Sequence, residues 1–390
     1  MRKRPSENSA MRILTALGII FIVCGHLSNE IFTVGGLFPY YSFHVFIFLF
    51  VSGYFYDSKS EDHPLEYIFH KIKTLLVPYF VYNLIYGIIS TALDYKGIYL
   101  GSGISLRNLF LEPFLGGHQF GLNSPAWFVP ALFAVLLINL LGRKIVYSVL
   151  SIGVKKKCRG ITDIIMTVGS LAIGILTIYL AIGGHVYDYW KTPGRFLIML
   201  PGVQFGICYR EYIEGWLRKL KEKIGDIKYY VILIILILVP QYFMSFRMGN
   251  LSFGVVWCSN FANGPFIPYI TVITGISFWL LISKILASIS EKTNCLNWLL
   301  WVGRSSYHIM TNHFLVLLLI NSLCMLVQNG FGVDLAFNFE SFAHDFTYQC
   351  LYAGYHGTRL INVFLCVFLP ALVYKVVSQK ITQKDKDVVK

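Results

Sequence analysis

Ten stretches of this chain are apolar over about the 17–25 residues that a helix needs to cross a bilayer. They fall at 11–28, 40–57, 75–93, 126–142, 161–182, 195–209, 229–246, 265–288, 306–328 and 358–376. Hydrocarbon offers no hydrogen bonds, so a spanning backbone must satisfy its own N–H and C=O groups, and continuous runs of this length do so as helices. Only 14% of the residues are charged, against about 25% in an average soluble domain. The expectation is an all-α polytopic membrane protein, about ten transmembrane helices in one bundle. The whole chain, 1–390, reads as one integral-membrane domain, with spans over about 11–376 and a short tail at 377–390. The sixth stretch is short and contains Pro201 and Gly202; a non-helical segment there would be tolerated if protein buries it.

The net charge of +13 would suit a nucleic-acid binder, but the cations sit in loops between the apolar stretches. With the N-terminus inside, 27 of the 33 Lys and Arg fall on one side of the membrane. That asymmetry predicts both termini cytoplasmic and removes the argument for nucleic acid. The location expected is the cell (cytoplasmic) membrane, as a multi-pass protein. The basic MRKRP followed by an apolar run resembles a signal peptide, yet no small-residue cleavage pattern follows Cys24-Gly25-His26. The run is therefore expected to stay as the first span. Eight cysteines, Cys158 among them, are scattered singly with no CxxC, so neither a disulfide framework nor a metal site is predicted.

Polar groups inside a membrane are costly and are functional candidates by default. The first span carries two, Arg12 near its start and His26 near its end, roughly 20 Å apart at 1.5 Å per helical residue. An imidazole near its ordinary pKa can accept a proton from a hydroxyl or transiently carry an acyl group. His44 opens the second span at a depth His26 can share, and His313 lies two turns into the ninth, where it could line the same cavity. His308, nearer the inner end, reads as a packing residue. His118, His344 and His356 fall in outer segments, where solvated imidazoles are the rule. Glu30, Glu112 and Asp345 are the acids from which an orienting partner for His26 could come. At the inner face, Arg12, Lys71, Lys73 and Arg304 gather cations able to bind the phosphates of a nucleotide-bearing donor. Two outer segments, 94–125 and 329–357, are long and aromatic enough to contact a sugar or cover a site. Ser52-Gly53 provides a small-residue position where another helix can approach closely.

Five segments in order, GIIFIVCGH, SFHVFIFLFVSGYF, KIKTLLVPYFVYN, SPAWFVPALF and VGRSSYHIMTNHFLV, resemble the membrane-bound acyltransferase-3 family, integral-membrane O-acyltransferases that modify surface glycans. The resemblance implies a ten-helix bundle that takes an acyl group, usually acetyl, from cytoplasmic acyl-CoA as co-substrate and passes it to a carbohydrate hydroxyl on the far side, with no metal. It places catalysis on the first-helix histidine, which maps to His26. From the residues themselves, donor binding is expected of Arg12, Lys71 and Lys73, and acceptor contacts of His44, Trp127 and His313. One position departs from the family pattern. Eleven residues before the histidine, where Arg or Lys is usual, stands Thr15; Arg12, one turn earlier on a neighbouring face, is the candidate replacement. The expected function is an O-acyltransferase, in particular O-acetyl, acting on an extracytoplasmic polysaccharide or lipid-linked glycan beside the polysaccharide-synthesis machinery. The rivals are a translocator of polysaccharide or lipid-linked oligosaccharide and a structural scaffold for a polysaccharide synthase.

Overall fold

The computed structural model of the chain describes residues 8–28, 30–153, 159–350 and 356–388. The basic MRKRP, the lysines at 155–157 and Cys158 lie outside these described residues. The protein is 80% helical and, among the described residues, has no strand. In chain order the helices are α1 (Ser9–His26), α2 (His44–Tyr54), α3 (Pro64–Lys71), α4 (Val77–Asp94), α5 (Leu106–Phe110), α6 (Glu112–Leu115), α7 (Phe128–Gly153) and α8 (Arg159–Ile182). They continue with α9 (Lys191–Cys208), α10 (Glu214–Ile224), α11 (Asp226–Met248), α12 (Ile267–Thr293), α13 (Asn297–Arg304), α14 (Ser306–Phe331), α15 (Phe339–His344) and α16 (His356–Val388). A 3-10 segment at Gly121–Trp127 leads into α7, and a π turn at Ile72–Leu76 joins α3 to α4. Pro78 follows that turn and has no N–H to continue the regular ladder, which accounts for the widened turn just before it.

Among the described residues eight helical segments are long and apolar enough to cross a membrane, and each matches one of the ten expected stretches. Of the other two, the second corrects the sequence reading. The second stretch, expected over 40–57, forms only the eleven-residue α2, because Tyr40–Ser42 make a 3-10 turn after Pro39. The sixth stretch is helical throughout: α9 runs unbroken through Pro201. Close to that proline, Tyr269 donates its hydroxyl to the Ile198 carbonyl at 3.0 Å, next to the Leu197 carbonyl that Pro201 leaves without its helical donor. In α11 the buried residues are Tyr229 and Gln241, while Ile232, Ile235, Leu236, Phe243 and Phe246 are exposed. Apolar exposure on that scale is the surface expected to meet lipid.

The chain divides into two compact units. The first draws on Met1–Ile31, Phe80–Trp127 and Ser283–Lys390. In it α1 packs on α13, α14 and α16, while α14 packs on α16 and on the 3-10 segment Gly121–Trp127.

The second draws on Phe32–Tyr79 and Phe128–Ile282, and its centre is the packing of α2 and α8 on α9. Small residues make the α2–α9 approach possible. A Cβ on Gly53 would fall inside contact distance of the Val203 backbone, and one on Gly206 would meet the Phe50 carbonyl and, at 2.7 Å, the Tyr54 nitrogen. The expected packing role of Ser52-Gly53 is therefore the one the structure displays. Gly206→Val should lower thermal stability by about 1–3 kcal/mol, because the clash is with backbone that cannot rotate away. Gly215→Ala on α10, where a Cβ meets nothing within 4 Å, should leave the unfolding temperature of purified protein level or slightly raised.

The same unit holds a buried ionic cluster. Arg143 on α7 is 2% exposed; its Nε lies 2.7 Å from Glu61 Oε1 and its Nη2 2.7 Å from Asp163 Oδ1. Tyr56 donates to Glu61 at 3.4 Å and Tyr212 to Asp163 at 2.5 Å. Arg210, in the π turn Tyr209–Ile213, donates through Nη1 to the carbonyls of Tyr54 and Tyr56 at 2.7 and 2.6 Å, closing the end of α2. The cluster ties the segment just before α3, which leads to Lys71 and Lys73, to α7 and α8.

Candidate active site

α1 is capped at its start by Asn8, whose side-chain oxygen accepts from the Met11 N–H at 3.2 Å. It is buried along most of its length, and it ends at His26 because Ser28 takes a left-handed φ of 53°. Two side chains from elsewhere in the first unit hold that end. Gln349 donates Nε2 to the Leu27 carbonyl at 3.3 Å, and Arg359 donates Nη1 to the Ser28 carbonyl at 2.9 Å. Asn362 in turn donates to Gln349 Oε1 at 3.1 Å. Carbonyls left without partners inside a helix terminus thus become the fixture that places His26.

His26 is half-buried and stacks on the fully buried His313, with ring centroids 5.5 Å apart and planes 27° from parallel. Phe314 meets His26 edge-on at 5.2 Å. His313 Nδ1 lies 3.0 Å from the Ile309 carbonyl, which can only accept, so Nδ1 carries the hydrogen and Nε2 keeps its lone pair. That Nε2 is buried and has no hydrogen-bond partner. Phe346 covers Phe314 edge-on at 5.1 Å, in a stretch held by Gln349 and by Asn321, which bonds the Tyr348 carbonyl at 2.6 Å and the Cys350 N–H at 2.9 Å. Part of the 329–357 segment therefore packs on the phenyl ring that flanks the histidine pair; its residues 351–355 lie outside the described ones. Burial, with the neighbouring Cys324 next in size, pushes the Cys350 thiol up to about 11. A maleimide at neutral pH should consequently label the exposed Cys295 and spare Cys350, as peptide mass spectrometry of the folded protein would show.

The remaining candidates separate by unit. Trp127 is buried in the first unit, with His118 edge-on to it at 6.4 Å. His118 is not solvated as expected: it is half-buried and its Nδ1 lies 3.0 Å from Ser124 Oγ. His344 is exposed and stacks on Tyr99 at 5.3 Å, and the side chain of His356 lies outside the described ones. His308 packs as expected, stacked on Tyr374 at 4.0 Å and bonded through Nδ1 to the Tyr82 hydroxyl at 2.8 Å. Two of the acids considered for His26 are engaged elsewhere, Glu112 with Arg107 at 2.8 Å and Asp345 with the N–H and hydroxyl of Thr347. His44 belongs to the second unit, buried, with Nδ1 on the Tyr40 carbonyl and Tyr41 edge-on at 5.1 Å.

Of the cations, Arg12 belongs to the first unit. Its stem lies against Gly303, where a Cβ would sit 3.1 Å from Arg12 Cγ and Cδ, one residue before the exposed Arg304. Thr15 bonds the Met11 carbonyl at 2.9 Å within its own helix. Lys71 and Lys73 belong to the second unit; Lys73 is exposed and Lys71 Nζ stands 5.3 Å from the Tyr67 ring centroid. Among the described residues no group of three or more His, Cys, Asp or Glu is placed to hold a metal ion.

The chemistry this arrangement offers is a proton acceptor beside a second imidazole at the end of a buried helix in a membrane protein. Comparison with protein families gives the class: the acyltransferase-3 family model, described as an acyltransferase domain, matches residues 8–337. The chain belongs to that family and is a membrane acyltransferase of it. No curated protein and no solved structure matches it.

Proposed function

We propose that the protein is an O-acyltransferase that moves an acyl group, acetyl in the simplest case, from cytoplasmic acyl-CoA to a hydroxyl of an extracytoplasmic polysaccharide or lipid-linked glycan. The observation that supports it most is the His26–His313 pair, accessible on one side and buried on the other, at the end of α1. His26 accepts the proton of the acceptor hydroxyl as the oxygen bonds to the acyl carbon. The carbon–sulfur bond breaks, and the thiolate takes that proton back from the imidazolium, restoring neutral His26. His313 Nε2, a lone pair with no partner of its own, accepts a hydrogen bond from a second hydroxyl of the acceptor, since the reacting hydroxyl gives its one hydrogen to His26. Gln349 and Arg359 are positioning residues acting through the carbonyls after His26. Alignment of reactants alone can supply about 7–11 kcal/mol of a barrier, so a framework that mainly positions is sufficient.

For the donor, the proposed phosphate ligands are those read from the sequence, Arg12, Lys71 and Lys73. Arg12 stands in the first turns of α1, where the helix dipole adds to its charge. Both termini are proposed to be cytoplasmic. The test is ester-linked acetate on the surface glycan of cells expressing wild type or His26→Ala at equal membrane levels. Acetate present with the first and lost with the second supports the reading. Acetate absent from both, with exported glycan tracking expression, replaces it with a translocator.

A further inference from the structure

Hydrogen-bonding capacity left unused inside a protein is costly and points to a partner that arrives later. Asn123, in the 3-10 segment Gly121–Trp127, is 3% exposed, and neither its Oδ1 nor its Nδ2 has a partner. Its backbone is served, the N–H donating to the Phe120 carbonyl at 3.0 Å; the side chain alone is idle. The segment packs on α14, the helix that carries His313. A chain of contacts leads from one to the other. A Cβ on Gly121 would meet Phe346 Cδ1 at 2.9 Å, Phe346 lies on Phe314, and Phe314 touches His313 at 4.4 Å and His26 at 5.2 Å between ring centroids. Two idle polar side chains, Asn123 and His313, thus stand on adjoining elements of the first unit, Asn123 two residues from the glycine that meets the aromatic cluster and His313 in contact with that cluster.

The chemistry of the idle groups narrows what they take. A carboxamide offers two N–H donors and a carbonyl acceptor and carries no charge. Phosphate or carboxylate would call for a cation, and an apolar chain would leave the amide as it is. Hydroxyls, each a donor and an acceptor, fit, and two on neighbouring ring carbons can engage the amide oxygen and nitrogen together. We propose that Asn123 binds the acceptor sugar through a hydroxyl adjacent to the one that is acylated, and so determines which hydroxyl His26 meets. The proposal rests on the acyl-transfer reading and adds to it the residue that recognises the acceptor.

Wild type, Asn123→Leu and Asn123→Asp, each in lipid nanodiscs, would be assayed for transfer of radiolabelled acetyl from acetyl-CoA. The acceptors would be methyl hexopyranosides and their monodeoxy derivatives, with melting temperatures measured in parallel. In Asn123→Leu the acceptor KM should rise about tenfold, the value expected for loss of a neutral hydrogen bond to substrate, with the KM for acetyl-CoA unmoved. Its melting temperature should rise, since Leu removes two unsatisfied polar atoms while keeping the branching and heavy-atom count of the side chain. One monodeoxy acceptor should cost wild type the same factor and cost the Leu variant nothing further. An unchanged acceptor KM in both variants overturns the proposal, as does a lowered melting temperature with unchanged KM, which would assign the amide to an internal bond or an ordered water. Should Asn123→Leu fail to fold, Asn123→Asp, equal in size and lacking the donors, decides the KM question alone. Absence of transfer by wild type to every glycoside, with acetyl-CoA bound, counts against the transferase reading itself and is told apart by appearing before any substitution.

Discussion

His26→Ala should reduce acetyl transfer by purified protein by a factor of about 10²–10⁴, the range general-base catalysis supplies. On the proposed mechanism the imidazole acts as the acceptor proton moves, so the fall should appear in kcat while the KM for acetyl-CoA stays level. Folding should be little affected. His26 is half-buried, and the bonds that finish its helix are made by the carbonyls of Leu27 and Ser28, which the substitution leaves in place. An equal melting temperature for variant and wild type is therefore part of the expectation. Turnover near that of wild type would show that the proton goes elsewhere and would remove His26 from the mechanism. His313→Ala is a less clean probe, since a fully buried ring leaves a cavity as well as a missing lone pair.

The second large effect concerns stability. Arg143→Ala leaves Glu61 and Asp163 buried and facing each other without their cation, a change that typically costs about 3–5 kcal/mol. Domain stabilities are about 5–15 kcal/mol, so the variant should be recovered from membranes in much lower yield and unfold well below wild type. The triple replacement Glu61→Leu, Arg143→Met, Asp163→Leu should regain most of the loss, because it removes the buried charges together instead of stranding two of them. Failure of the triple variant to recover would mean that the cluster does more than neutralise itself. The hydroxyls of Tyr56 and Tyr212 that bond the two carboxylates would be the next place to look.

How much of this was legible in the sequence depends on the distance over which each feature is made. Helices are local, and the apolar runs located them; eight stand where expected. The second stretch was read too long because Tyr40–Ser42 and Tyr56 are as apolar as a helix interior, yet Pro39 sets a 3-10 turn on one side and Arg210 closes the other. Pro201 left room in the sequence for a non-helical segment, yet a helix packed in protein can carry a proline and stay unbroken. His26 was legible, as a polar group in an apolar run; its contact with His313 was not, since the two are brought together only by the packing of α1 on α14. Arg143 was visible only as one more inner-face cation. Its partners Glu61 and Asp163 come from segments far apart along the chain, and nothing local marks them as a pair. Asn123 was hidden for a further reason: asparagine before serine and proline is ordinary turn chemistry, and only burial without partners sets it apart.

α1 runs from Ser9 to His26 without proline and is packed along most of its length. It therefore acts as a ruler. From Arg12 to His26 the rise is about 21 Å at 1.5 Å per residue, and a packed helix of regular pitch cannot shorten it. For a donor anchored by its phosphates at the first of these residues, the reach of the arm that carries the acyl group must equal that length. Selection among activated acyl compounds would then follow from the chain's own geometry, before any contact with the acyl group is made.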